Sequence, residues 1–158
     1  MLGRSRNLVG LDLGDSTIKV VELKALGKGR GFQLSKLGWE PLSAEAIVDG
    51  QIMDSQLVIE TIQRLFQRCR IKNTQVATAL SGHSVIVKRI SLPVMSEAEL
   101  AESIHWEAEQ YIPFDIEDVN LDYQILEGSS LSGAGNMDVL LAAAKKDKIS
   151  DYTSVVSQ

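Results

Sequence analysis

Between Val9 and Leu23 the chain places an aspartate, a glycine, two hydroxyls and a lysine at a spacing that suits phosphate and metal chemistry. Val9-Gly10-Leu11-Asp12-Leu13 and Thr17-Ile18-Lys19-Val20-Val21-Glu22-Leu23 read as two apolar strands, with Gly14-Asp15-Ser16 as the turn between them. Gly14 has no Cβ, so the turn can bring backbone N–H groups close to an anion. Asp15 shares the turn, Ser16 and Thr17 add hydroxyl donors, and Lys19 supplies positive charge. Asp12, at the mouth of the first strand, suits a Mg²⁺ ion held through water, because Mg²⁺ prefers oxygen ligands and gives up its hydration reluctantly. An Asp-x-Gly between strands is also ordinary hairpin punctuation. The opposite charges of Asp12 and Lys19 at one loop favour the phosphate reading. Neither G-x-x-x-x-G-K-[ST] nor G-x-G-x-x-G is present, which excludes a P-loop or Rossmann site.

The elements that must hold this turn follow from pattern. Leu8 to Leu13, Thr17 to Lys24 and Phe32 to Trp39 are β-rich runs separated by Gly-containing turns and read as consecutive antiparallel strands. Val58, Ile62, Leu65, Phe66 and Cys69 recur at helical spacing, so a helix is expected from Ser55 to Cys69 with Asp54 or Ser55 as its N-cap and Asn73 ending it. A strand from Gln75 to Leu80 follows. Three antiparallel strands, a helix and a further strand open a ribonuclease-H-like unit, an α/β fold shared by nucleases and by actin-like ATPases. A nuclease needs more carboxylates around its metals. Glu60 alone lies on the helix, and Gln75 to Leu80 carries no acid.

A second, α+β unit is expected after Ser81-Gly82-His83-Ser84, giving units at 1–81 and 82–158. Val85 to Leu92 reads as a strand, and Ser96-Glu97-Ala98-Glu99 is a capping box that opens a helix running to about Tyr111. Leu100, Ile104, Ala108 and Tyr111 form its apolar stripe, and Pro113 stops it. Two more strands, Val119 to Leu126 and Asp138 to Ala144, flank the Gly/Ser-rich loop Gly128 to Asn136, and Lys146 to Gln158 begins a helix. His105, Glu109 and His83 can be drawn as a metal set but read better as surface polar residues. Tyr111, Ile112 and Phe114 read as plugs at a helix end, with a groove lining as the alternative. Glu97, Glu99, Glu102, Glu107 and Glu109 read as a solvated helix face.

Composition bounds the rest. At 158 residues, 44% hydrophobic and 23% charged, the chain has the profile of a soluble globular protein of one or two small domains. A net charge of -5 argues against nucleic acid as the main partner. The early bases Arg4, Arg6, Lys24, Lys28 and Arg30 read as a solvated loop in preference to a contact with an anionic membrane. Cys69 is the single cysteine, excluding an internal disulfide and reading as core. No signal peptide or membrane span is visible, since Asp12 interrupts the first apolar run. A cytoplasmic location is expected.

Glu107-Ala108-Glu109-Gln110-Tyr111-Ile112-Pro113-Phe114, then Val119-Asn120-Leu121-Asp122-Tyr123, complete a pattern begun by Gly10-Leu11-Asp12-Leu13-Gly14 and Ile18-Lys19-Val20-Val21-Glu22-Leu23. Together, over nearly the whole chain, they closely resemble the PilM family of actin-like type IV pilus proteins. FtsA-like division proteins share the architecture but are not expected to carry the Tyr-Ile-Pro-Phe segment. The resemblance implies an actin-like subdomain 1A followed by an inserted FtsA-like subdomain 1C, within a longer two-lobed protein of which this chain is a fragment. It implies ATP with Mg²⁺ as ligand, with Asp12, Gly14, Asp15, Ser16, Thr17 and Lys19 in the first phosphate motif and Asp12 beside the metal. It also implies binding of the cytoplasmic N-terminal peptide of PilN in a groove between 1A and 1C, tethering the protein to the inner membrane, with pilus motor ATPases and other inner-membrane pilus proteins as further partners. Since the second phosphate loop belongs to the later half, hydrolysis by this chain alone is not expected, and no catalytic residue is assignable. An ATP-hydrolysing enzyme and an FtsA-like filament former are the alternative readings.

Overall fold

The computed structural model describes residues 8–27, 29–126 and 135–158. Arg4, Arg6 and Lys28 of the early basic group, and most of the Gly/Ser-rich loop, lie outside the described residues. The chain divides into two units, Met1–Leu80 with Tyr152–Gln158, and Ser81–Asp151.

In the first unit β1 (Val9–Leu13), β2 (Thr17–Ala25) and β3 (Phe32–Pro41) form the expected antiparallel meander, and a short β6 (Val76–Ala77) joins β1 in parallel, giving the order β3-β2-β1-β6. Alternation decides which face is buried. Val9, Leu11, Leu13, Ile18 and Val20 point into a core shared with Val58, Ile59 and Leu65 of α1 (Ser55–Arg68). Asp54 caps α1, its Oδ1 accepting from Leu57 N at 2.9 Å. The expected stop at Asn73 is corrected. The helix ends at Cys69, with Arg70 left-handed at φ 52° and Ile71 N donating to Phe66 O at 2.9 Å, because burying Ile71 turns the chain there. Asn73 instead accepts from Gln75 N at 3.0 Å and opens the turn into β6.

The strand expected over Gln75 to Leu80 shrinks to Val76–Ala77, since only those residues pair, with Val9 and Gly10. A hairpin that the sequence reading omits, β4 (Ile47–Val48) and β5 (Gln51–Ile52), turns through Asp49 and Gly50, both at positive φ, and is anchored by the fully buried Ile47.

β3 meets α1 at a close approach. A Cβ on Gly38 would stand 2.2 Å from Cys69 Sγ and 3.1 Å from Leu65 Cδ1. Beside it the Glu40 carboxylate pairs with Arg64 Nε at 3.2 Å and Arg68 Nη1 at 2.7 Å, and Arg68 also donates to Trp39 O.

In the second unit β7 (Val85–Pro93), β9 (Asn136–Lys145) and β8 (Val119–Ile125) form an antiparallel sheet in the order β7-β9-β8. α2 (Glu97–Glu109) buries Leu100, Ile104 and Ala108 in one core with Ile90, Val139 and Leu141. The capping box is present in full. Glu99 accepts from the Ser96 backbone and hydroxyl, which lowers its carboxyl below the ordinary value. Ile112, not Tyr111, completes the stripe, since α2 stops before Tyr111 and Ile112 continues the four-residue spacing from Ala108. α3 (Lys146–Val156) starts in this unit, but its last turn does not stay there: Tyr152 and Val155 are buried in the first core, so the closing residues group with the first unit and not with 82–158.

The Gly38 approach yields a direct test. Gly38→Ala should lower the unfolding free energy by about 1–3 kcal/mol through overpacking. Adding Cys69→Ala should recover most of that loss in urea titrations; no recovery would place the strain elsewhere.

Candidate functional site

The β1–β2 hairpin carries the residues whose chemistry the sequence picks out. Its register pairs Leu13 with Ile18 and Asp12 with Lys19, so burial of the first pair drives the second onto the opposite, open face. There Lys19 Nζ lies 2.8 Å from Asp12 Oδ2, both side chains being more than half exposed. An exposed pair of this kind contributes about 0.2–1 kcal/mol, too little to hold the hairpin. Its geometry is set by the strands, and both charges stay accessible.

The turn is compact. Gly14 N donates to Thr17 O at 3.1 Å, and Leu42 N donates to Ser16 O at 2.8 Å, tying the turn to the segment after β3. A Cβ on Gly14 would stand 3.0 Å from Thr17 O, so any larger residue crowds the carbonyl that closes the turn. Asp15 and Ser16 are exposed, and Gly14 and Thr17 are half-buried. All six sequence-selected positions therefore sit on one hairpin, with the carboxylates, the hydroxyls and the ammonium within a single surface. A ligand that places anionic oxygens beside Lys19 and a hydrated cation beside Asp12 fits this donor set.

Two features escaped the sequence reading. Open ground adjoins the ion pair: a trough of about 470 Å³ is lined by Gly10, Asp12, Lys19, Val21, Leu37 and Thr78, among others, where the chain after β6 leaves β1. Tyr152 comes from the far end of the chain. It is buried, and its hydroxyl donates to Gly50 O at 3.1 Å. Burial raises its phenol above the ordinary value, and the negative charges of Asp15 and Asp12 add to the shift. Nothing in the local sequence links residue 152 to residue 12; only tertiary packing does.

The other candidates are accounted for as structure. Among the described residues no three of His, Cys, Asp and Glu converge on a metal position, and His105 is exposed on α2. Ile112 is buried, and Tyr111 and Phe114 pack against the second core, with Lys145 Nζ 4.1 Å from the Phe114 ring centroid. Cys69 is half-buried against the first core. Glu60 accepts from Gln56 on the exposed face of α1. Among the described residues no helix is long and apolar enough to cross a membrane.

A β3-β2-β1-β6 sheet backed by α1, with a second α+β unit inserted before the closing helix, is the mixed α/β fold of the actin-like proteins, present in part. The chain belongs to the family of type IV pilus assembly protein PilM, whose family model matches residues 10–158. It is similar to a chain of a solved "PilM-PilN type IV pilus biogenesis complex", with 30% identity and a TM-score of 0.83 over 98% of this chain and 45% of that one. It shares its fold with the cytoplasmic domain of EpsL, an inner membrane component of the type II secretion system of Vibrio cholerae, at 13% identity and a TM-score of 0.57, covering 96% of this chain and 52% of that one. The chain thus spans about half the length of the solved structures it matches.

The Tyr152 shift has a definite sign. A phenol whose folded-state pKa is raised adds stability that is complete below its unfolded value of about 10 and is lost as pH climbs through the folded value. Tyr152→Phe should cost about 1 kcal/mol at neutral pH for the lost hydrogen bond. It should also flatten the fall in unfolding free energy above about pH 10. An unchanged alkaline slope in the variant would contradict the placement of this tyrosine.

Proposed function

We propose that this chain is the N-terminal half of a PilM-type scaffold that binds the cytoplasmic N-terminal segment of a PilN-type membrane protein and so joins a pilus assembly complex at the inner membrane. The observation that carries this reading is the match over 98% of the chain to a protein solved as a PilM-PilN complex.

In the longer protein the β1–β2 hairpin contributes one side of a nucleotide site. Asp12 would hold a hydrated Mg²⁺, Lys19 would meet phosphate oxygens, and the amides of Gly14 to Thr17 with the Ser16 and Thr17 hydroxyls would complete the anion contacts. Magnesium there would supply charge neutralisation at the phosphates. Lys19, which pairs with Asp12 here, would turn its ammonium to phosphate once the carboxylate held a cation. One hairpin buries too little of a nucleotide to hold it tightly, which makes the second lobe necessary for ligand capture. Nucleotide serves this scaffold as a conformational ligand.

Isothermal calorimetry of this chain with a synthetic PilN N-terminal peptide tests the reading. Saturable heat at one peptide per chain is expected, and silence at millimolar peptide would overturn it.

A further inference from the structure

Beyond the bulge between Glu22 and Leu23, β2 and β3 leave the core and continue as a two-stranded arm. Every described residue from Leu23 to Ser35 is exposed. Alternation sorts its side chains by face. Leu23 pairs with Leu34 and Ala25 with Phe32 on one face, and Lys24 pairs with Gln33 on the other. Four large apolar side chains are open to solvent, Leu23 at 40%, Leu26 at 41%, Phe32 at 69% and Leu34 at 54%. Charge is equally one-sided: the sequence from Leu23 to Trp39 holds no Asp or Glu, and Lys24 and Arg30 stand on the arm, Arg30 spending one of its five donors on Leu26 O at 3.2 Å. Glu22, at the base, accepts from the Ser35 hydroxyl at 3.1 Å. Lys36 is held by the carbonyls of Cys69 and Arg70 at 3.0 and 2.8 Å, so it takes no part.

An apolar face of this size on a surface arm is neither core nor ordinary exposure. The tip of the arm is open: a Cβ on Gly27, Gly29 or Gly31 would meet no atom within 4 Å. An arm with one apolar face, two cations and no acid matches a medium that is apolar in depth and anionic at its surface. We propose that the β2–β3 arm contacts an anionic lipid bilayer directly, Leu23, Phe32 and Leu34 entering the headgroup boundary while Lys24 and Arg30 reach the lipid phosphates around the arm. This contact is independent of the peptide partner proposed above and orients the first unit against the membrane.

Co-sedimentation of the 158-residue chain with vesicles tests it. Binding is expected to phosphatidylglycerol/phosphatidylcholine vesicles, with little to phosphatidylcholine alone, and it should weaken at high salt. Lys24→Gln with Arg30→Gln should reduce partitioning roughly thirtyfold. Phe32→Ser with Leu34→Ser should reduce it roughly tenfold while leaving the circular dichroism spectrum unchanged. Failure to bind phosphatidylglycerol vesicles at low salt overturns the proposal, as does binding that neither double variant weakens. A dimer in light scattering that Phe32→Ser with Leu34→Ser abolishes, without change in vesicle binding, assigns the face to a second copy of the chain and also overturns it.

Discussion

The first unit depends on the strict alternation of β1 between a buried and an open face. Val9, Leu11 and Leu13 are almost wholly buried, which leaves Asp12 one place to point. A one-residue slip against β2 would carry the Asp12 carboxylate into the core and three apolar side chains out of it. Burying each such side chain is worth about 1.5–3 kcal/mol, and an unpaired buried carboxylate costs several more, so the register has no close competitor. Through that register Asp12 faces Lys19, Leu13 faces Ile18, and the turn between them falls on Gly14, Asp15 and Ser16.

Stability and chemistry are thereby separated. The core below the hairpin is shared by α1, the β4–β5 hairpin and the end of α3, so three segments distant in sequence fix one strand pair from beneath. The polar groups above contribute little to that fixing, which lets them vary with what binds. Tyr152 joins the two levels, buried with the core yet sensitive to the charges of the turn. In the second unit a capped, acidic α2 lies over a three-stranded sheet, and the Tyr111 to Phe114 segment spends its apolar groups closing that core.

Local signals were legible where local physics decides the outcome. The meander, the Asp54 cap, the Ser96–Glu99 box and the β1–β2 turn each rest on residues within a few positions of one another. The β4–β5 hairpin was also written in sequence, as the Asp49-Gly50 pair between Val48 and Gln51, but each strand is only two residues long and shows no period. The end of α1 was misread because Arg70 is a poor left-handed residue in isolation, and only the burial of Ile71 makes it adopt that conformation. Tyr152 and the open apolar arm of β2 and β3 are set by tertiary packing: one joins residues 102 positions apart through its bond to Gly50, and the other is defined by side chains left exposed.

We propose that this register presents the turn from Gly14 to Thr17 as a phosphate seat. Amide ¹H–¹⁵N spectra of a chain extended to the full length of the solved relative, recorded with and without Mg-ATP, test it most directly. The amides of Gly14, Asp15, Ser16 and Thr17 should shift on addition of nucleotide, and Asp12→Ala should suppress those shifts while the apo spectrum keeps its dispersion. Nucleotide that binds while these four amides stay in place would contradict the account.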